Sequence, residues 1–372
     1  MKILVFNWQD IRNPFGGGAE IHLHEIFKRL AAQGHDVTLF CSMFPGALHE
    51  ESIDGIRVIR QGSRLLFNYS VPREYRRRFR HEHYDIVVDD LNKIPFYSPL
   101  FVREPLLGMV LHLFGTSIFR ETILPAAAYV YLTERLALSV YRKTPIAVIS
   151  ESTRQEMLAH GYPDANIHNV RVAVNHAMYR TTGDPKAPVP TVGYLGRIKK
   201  YKSVDHLLRA FAIVRREIPD ARCIVIGDGD GKPALERLAG ELHLGASCTF
   251  TGYLPIDEKV RLINTMHLVV NTSAKEGWGL TVTEANACGV PVIASNVPGL
   301  RDAVLDGKTG LLYEFGNVDQ LAGMMVRVLK DERLRSAYAR EAQAYSRTFS
   351  WDDCATRMLG AIEATLQGPR SN

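Results

Sequence analysis

One stretch combines residue types able to do chemistry at close spacing: Asn271 to Gly289, which reads as strand, glycine loop and helix. Glu276 lies in the loop, where a carboxylate can accept from two hydroxyls of a sugar while Gly277 and Gly279 let backbone approach closely. Leu280 and Thr281 open the helix, and Glu284 falls in its first turn. Thr281 followed three positions on by Glu284 also matches a capping box, worth on the order of 1 kcal/mol, so cap and ligand contact both stand open for Glu284. Trp278 reads either as a packing anchor or as a platform for a sugar ring.

Two further loops could meet an anion. Gly196-Arg197-Ile198-Lys199-Lys200-Tyr201-Lys202 follows a strand and precedes a helix, with Ser203 available as cap. Arg197 can fork onto two phosphate oxygens, and Lys202 lies five positions on; solvated surface lysines are the plainer alternative. Gly16-Gly17-Gly18 sits between the first strand and a helix, where bare amides and the positive helix end suit a phosphate, or form a simple flexible turn. It is not the dinucleotide fingerprint, because Ala19-Glu20-Ile21 stands where the last glycine would fall.

Weaker signals follow. Gly227-Asp228-Gly229-Asp230-Gly231 fails as a calcium loop, since Ala239 occupies the twelfth position; an Asp-x-Asp site for Mg²⁺ or Mn²⁺ competes with an ordinary strand-to-helix turn. His112 ends the apolar run Leu106 to Phe114 and is either structural or a site residue, while His35 in Gly34-His35-Asp36 reads as structural. Arg73, Arg76, Arg77, Arg78 and Arg80 share one expected helix with the apolar pair Tyr75 and Phe79, giving a solvated face or a dock for anionic lipid.

These residues need a frame that brings loop ends together. Short β-rich runs alternate with helical segments throughout, the pattern of parallel α/β sheets. Gly183, Pro185, Pro188 and Pro190 break it once. The expected division is a first domain over 1–175, a linker over 176–190, a second domain over 191–351, and a tail helix over 352–372. Ligands of such sheets bind beyond the carboxyl ends of the strands, which is where the loops above lie.

Composition narrows the classes. In 372 residues, 46% hydrophobic and 23% charged content is globular, and a net charge of +5 argues against a dedicated nucleic-acid binder. No apolar run reaches the roughly 20 residues that span a bilayer. The five scattered cysteines fit neither a disulfide framework nor a zinc site, so cytoplasmic thiols are expected. The start MKILVFNW reads as a first strand rather than a signal peptide, with the mature chain expected to begin there.

Taken together, the chain resembles the family 4 glycosyltransferases of GT-B fold: two doubly wound, Rossmann-like domains facing across a cleft. The resemblance rests on Gly17-Gly18-Ala19-Glu20, Gly34-His35-Asp36-Val37, Gly196-Arg197 with Lys202, Gly227-Asp228-Gly229, and Glu276 with Glu284 running into Ala287-Cys288-Gly289-Val290-Pro291-Val292. It implies that Arg197 and Lys202 hold a donor diphosphate, Glu276 the sugar hydroxyls, Glu284 the ribose, the Leu280 and Thr281 amides a phosphate, and Gly17 and Gly18 a phosphate across the cleft. His112 looks like the family's sugar-side histidine. Trp278 and Asn286 depart from the commoner phenylalanine and methionine, which bears on sugar identity.

The resemblance further implies retaining hexosyl transfer from a nucleoside-diphosphate sugar to a glycan or lipid-linked sugar in polysaccharide assembly, with no metal and no cofactor. The cysteine pattern places the chain in the cytoplasm, the arginine run adds a peripheral membrane contact through Arg73 to Arg80, and the resemblance sends the last helix back to the first domain. The rivals are a metal-dependent transferase using Asp228 and Asp230, a nucleotide-sugar epimerase, and a non-catalytic nucleotide-sugar binder.

Overall fold

The computed structural model describes residues 1–91, 94–120 and 122–368; the last four positions of the expected 352–372 helix lie outside the described residues. The chain divides into two compact units. The first comprises Met1–Val172 together with the chain from Trp351 onward, and the second is Ala173–Ser350.

In the first unit the strands are β1 (Lys2–Phe6), β2 (Asp36–Cys41), β3 (Glu50–Ile53), β4 (Ile56–Arg60), β5 (Ile86–Asp90), β6 (Leu106–Val110), β7 (Ile146–Val148) and β8 (Ile167–Asn169). Their order is β3-β4-β2-β1-β5-β6-β7-β8. Every neighbouring pair is parallel except β3 with β4, where the Asp54-Gly55 turn makes a hairpin. Ile3, Leu4, Val5 and Phe6 of β1 are all buried, as a strand covered on both faces requires. The helices are α1 (Gly18–Ala32), α2 (Phe67–Arg77), α3 (Leu124–Val140) and α4 (Glu151–Ala159).

In the second unit the strands are β9 (Thr191–Leu195), β10 (Arg222–Ile226), β11 (Cys248–Gly252), β12 (Leu268–Asn271), β13 (Val292–Ser295) and β14 (Gly310–Tyr313). They are ordered β11-β10-β9-β12-β13-β14 and all parallel. Between them run α5 (Val204–Glu217), α6 (Lys232–Glu241), α7 (Ile256–Thr265), α8 (Leu280–Ala287), α9 (Leu300–Ala303), α10 (Val318–Lys330) and α11 (Glu332–Ser346). The last helix, α12 (Trp351–Gln367), belongs to the first unit and packs on α1, where Arg29 holds Asp352 at 2.6 Å.

Each sheet therefore reverses its winding once, at β1/β5 and at β9/β12. Loops leaving two such strands part to opposite sides and open a crevice, the place where ligands of doubly wound sheets bind. The segment 176–190 contains no strand or helix; it is tied to α7 and its exit by Lys186 Nζ on the carbonyls of Asn264 and Met266, at 3.0 and 2.7 Å. No helix among the described residues is long and apolar enough to cross a membrane.

Candidate active site

The second unit's crevice is built by the exits of β9 and β12. After Leu195 the chain turns through Gly196 and exposed Arg197, then anchors on buried Ile198, whose amide donates to Asp228 O at 2.8 Å. The Gly227-to-Gly231 turn presses directly on this loop. At Gly229, with φ +156°, an added Cβ would lie 2.1 Å from Ile198 O, so only glycine permits the approach. Asp228 Oδ1 accepts from the Gly229 amide at 2.7 Å, and Asp230 pairs with Lys199 at 2.7 Å. These contacts make a strand-to-helix turn of the Asp-x-Asp stretch. Among the described residues no cluster of three or more His, Cys, Asp or Glu side chains could hold a metal ion.

A short 3-10 turn over Lys200–Lys202 then leads into α5. Ser203 does not cap that helix as its type led us to expect; it takes the left-handed conformation (φ 48°) and makes no side-chain cap bond. Two contacts lock this turn to the exit of β12: Thr272 Oγ1 donates to Lys202 O, and the Ala274 amide donates to Tyr201 O, each at 2.8 Å. The consequence is an ion pair between Lys202 Nζ and Glu276 Oε1, with Ser273 Oγ donating to the same oxygen at 2.6 Å. Burial opposes the charge on Lys202, but Glu276, aided by Tyr201 and Tyr194, outweighs it and the pKa is raised. The ammonium is thus a fixed cation at every physiological pH.

The Glu276 loop is shaped from below by Gly299 (φ +82°), where a Cβ would come within 2.2 Å of Glu276 O. Gly279 (φ 91°) is the N-cap of α8, so Leu280 is its first residue and Thr281 its second. This removes the expected capping box: Thr281 Oγ1 faces Asn271 Nδ2 at 3.3 Å, and Glu284, fifth in the helix, pairs with Lys259 of α7 at 2.7 Å. Lys259 Nζ also donates to Tyr179 Oη at 3.0 Å. Trp278 serves as a packing anchor. Its ring is buried edge-on against Phe349, 5.0 Å between centres, and its Nε1 donates to Thr283 Oγ1 at 2.8 Å. Gly277 stays in the half-buried loop beside Glu276.

The first unit's strand exits are organised differently. The Gly17 amide, expected to meet a phosphate, donates to the carboxylate of Glu20 at 2.6 Å, and Gly16 N donates to Asn13 O at 2.8 Å. Gly18 is the first residue of α1. An anion would approach the Gly17 amide only if Glu20, itself buried, moved away. Upstream, buried Asp10 is clamped by Arg60 through Nε and Nη2 at 2.6 and 3.0 Å. Beyond β6, half-buried His112 stacks edge-on against Phe114 at 4.9 Å, and the Phe114 and Gly115 amides both donate to Glu134 of α3, at 2.6 and 2.7 Å.

The sequence singles out none of Glu20, Glu134, Tyr179 and Lys259 as a site residue. Lys259 and Tyr179 carry no motif; Glu20, four residues after the first glycine of the loop, was a readable cue for an occupied amide. The arginine run also departs from expectation: α2 stops at Arg77, and Phe79 turns inward within a separate 3-10 turn, Phe79–His81.

Comparison with known proteins gives the family and the fold. The chain is 35% identical over 205 residues to a D-inositol 3-phosphate glycosyltransferase of Rhodococcus opacus, covering 53% of this chain and 46% of that protein. It is 34% identical over 233 residues to the one from Mycobacterium bovis, covering 58% and 47%. The match thus spans about half the length of these curated relatives. Among solved structures, sucrose-phosphate synthase from Thermosynechococcus elongatus superposes with a TM-score of 0.79 at 21% identity, over 97% of this chain and 98% of that one. HepE from Anabaena, solved with UDP and glucose, gives 0.75 at 19%, over 98% and 100%. At such identity the likeness shows the fold, which is GT-B. Residues 16–177 match the family model described as Glycosyltransferase Family 4 and residues 182–345 that described as Glycosyl transferases group 1, so the chain belongs to the family 4 glycosyltransferases.

Proposed function

We propose that this chain moves a hexosyl group from a nucleoside-diphosphate sugar to a glycan or lipid-linked sugar, with retention of anomeric configuration and without a metal ion. The observation that carries the reading is the Lys202 ammonium held by Glu276 at the β9/β12 crevice, beside the exit that presents Arg197. The names of the relatives and the UDP-bound neighbour support a nucleotide-sugar donor.

In this reading the bond from the anomeric carbon to the diphosphate breaks and negative charge grows on the leaving oxygen. The acceptor hydroxyl forms the new bond from the same face, and its proton passes to that phosphate oxygen. Only interactions stronger in the transition state accelerate the step. A charge pair at about 4 Å contributes roughly 4 kcal/mol at an effective dielectric of 20, against at most about 2 kcal/mol for a helix terminus. Arg197 and Lys202 therefore outweigh the Leu280 and Thr281 amides at the start of α8. Lys202 and Ser273 both engage Glu276 Oε1, which leaves Oε2 to accept from a sugar hydroxyl. Glu284, oriented by Lys259, would receive the ribose hydroxyls. His112 and the Gly17-Gly18 loop belong to the first unit, and their roles toward the donor are part of the proposal, as are a cytoplasmic location and a contact with anionic membrane.

The test incubates the chain with a panel of nucleoside-diphosphate sugars and sugar acceptors, with and without EDTA, and reads product mass and anomeric configuration. The reading predicts an acceptor adduct of retained configuration that EDTA does not diminish. Inversion, loss of activity on chelation, or an epimerised donor formed without acceptor contradicts it.

A further inference from the structure

The basic run that looks uniform in the sequence is divided by the structure. Arg73 and Arg77 reach Glu74, at 4.0 and 3.1 Å, and Arg78 reaches Glu82 and Glu50, at 2.9 and 3.4 Å. Arg76 and Arg80 make no ion pair among the described residues; both line a cavity of about 320 Å³ that Arg103, equally without a carboxylate partner there, enters from the segment after the Ser98–Leu100 turn. The cavity is built rather than accidental. The Tyr75 hydroxyl donates to Glu104 at 2.6 Å and accepts from the Arg103 amide at 3.0 Å, tying this segment to α2 and occupying the adjacent carboxylate. Phe101 forms a wall, with the Arg76 guanidinium 5.8 Å from its ring centre, and Leu100 stands at the rim, 70% exposed.

Three arginines with no carboxylate partner among the described residues line one cavity, so an anion there would relieve their mutual repulsion, and planar guanidinium forks fit phosphate oxygens. An exposed leucine beside the same opening has no use for a soluble ion but suits the acyl region next to a headgroup. We propose that the cavity of Arg76, Arg80 and Arg103 takes the phosphate of an anionic phospholipid and so fixes the first unit on a membrane surface. The inference rests on the membrane contact proposed above, which it narrows to three arginines, and is independent of the transfer chemistry.

The test is co-sedimentation of the full chain with phosphatidylcholine vesicles, with and without phosphatidylglycerol. Arg76→Gln and Arg103→Gln are compared with the charge-matched controls Arg73→Gln and Arg77→Gln, and thermal unfolding confirms that each variant is folded. The expected result is binding only to vesicles containing phosphatidylglycerol, weakened about fivefold by each cavity substitution and less than about twofold by each control, whose arginine is already paired. Equal loss in both sets overturns the cavity while leaving a diffuse electrostatic contact in place. Absence of vesicle binding overturns both, and binding of inorganic phosphate at Arg76 and Arg103 without vesicle binding replaces the lipid by a soluble anion. Sugar transfer to a soluble acceptor is unchanged in all four variants, so failure here is distinct from failure of the transferase reading.

Discussion

The two sheets share a topology and part company in the charge that their strand exits present. At β9/β12 the loops present cations: Arg197 on the surface and Lys202 fixed by Glu276, with Lys259 paired to Glu284 on the neighbouring helices. At β1/β5 and the adjoining β6 the exits carry carboxylates, with Glu20 on the Gly17 amide, Glu134 on the Phe114 and Gly115 amides, and Asp10 under Arg60. The same backbone crevice thus carries an exposed arginine and lysine–glutamate pairs at its exits in one unit, and carboxylates seated on backbone amides in the other. Topology says where a ligand sits, and the charges at the loop ends say which part of it.

The strongest way to break this contrast is to remove the cations. Lys202→Ala and Arg197→Ala should each lower kcat about 100- to 1,000-fold, the range seen when one preorganised stabiliser of a developing oxyanion is lost, with the unfolding midpoint little changed for Arg197. Turnover within about threefold of the parent in both variants would remove the second unit's claim on the leaving group.

The next effect separates the units by pH. Burial, assisted by Arg335 and Lys186, lowers His267 from 6.5 to about 4. The unfolded chain then takes up the proton first, so stability is complete above pH 6.5 and is lost as pH falls toward 4, by at most roughly 3 kcal/mol. In the first unit burial lowers His22 to about 4, against the bond that its Nε2 donates to the Arg171 carbonyl, and acts in the same sense. Asp89 acts oppositely: burial, against the bonds from Ser98 and Tyr141, raises it from 3.8 to about 6, so its contribution is complete below pH 3.8 and is lost as pH rises through 6. Hydrogen exchange followed from pH 6.5 to 4.5 should show the second unit losing protection faster, and His267→Gln should abolish the difference. Equal loss in both units would contradict these assignments.

Two smaller effects sharpen the picture. Lys259→Ala leaves Glu284 without its cation at a mostly buried position, 15% exposed, and should cost about 1–2 kcal/mol in urea unfolding and raise the donor KM. An unchanged KM would take Glu284 out of the donor site. Glu20→Ala removes the carboxylate from the Gly17 amide and should cost about 1 kcal/mol, with donor affinity held within about twofold of the parent. A tenfold gain in affinity would show that Glu20 guards the glycine loop as a phosphate seat.

Much of this arrangement was legible in the residues because parallel strands covered on both faces are continuous apolar runs. β1, β5 and β9 are read directly, and the loops that follow them inherit their importance. Arg197 and Glu276 could be picked as strand-exit residues of the right chemistry. Lys202 could be picked with them, but its pairing could not, because partnership depends on sheet order: Lys202 and Glu276 are far apart in the chain and meet only because β9 lies beside β12. Local rules failed where a tertiary contact outweighed them. Gly279 took the cap position that Thr281 appeared to occupy, Trp278 found Thr283 and Phe349, and the need to bury Phe79 ended α2 before Arg78. The carboxylate of Glu134 was visible as a residue, but that it would occupy the Phe114 and Gly115 amides follows from the fold alone.

A crystal structure of the chain with a nucleoside diphosphate, grown in chelator, tests the central claim most directly. The account predicts a terminal phosphate oxygen within about 4 Å of Lys202 Nζ and of the Arg197 guanidinium. A diphosphate bound away from both side chains, or one that binds only when a divalent ion bridges it to Asp228 and Asp230, would contradict it.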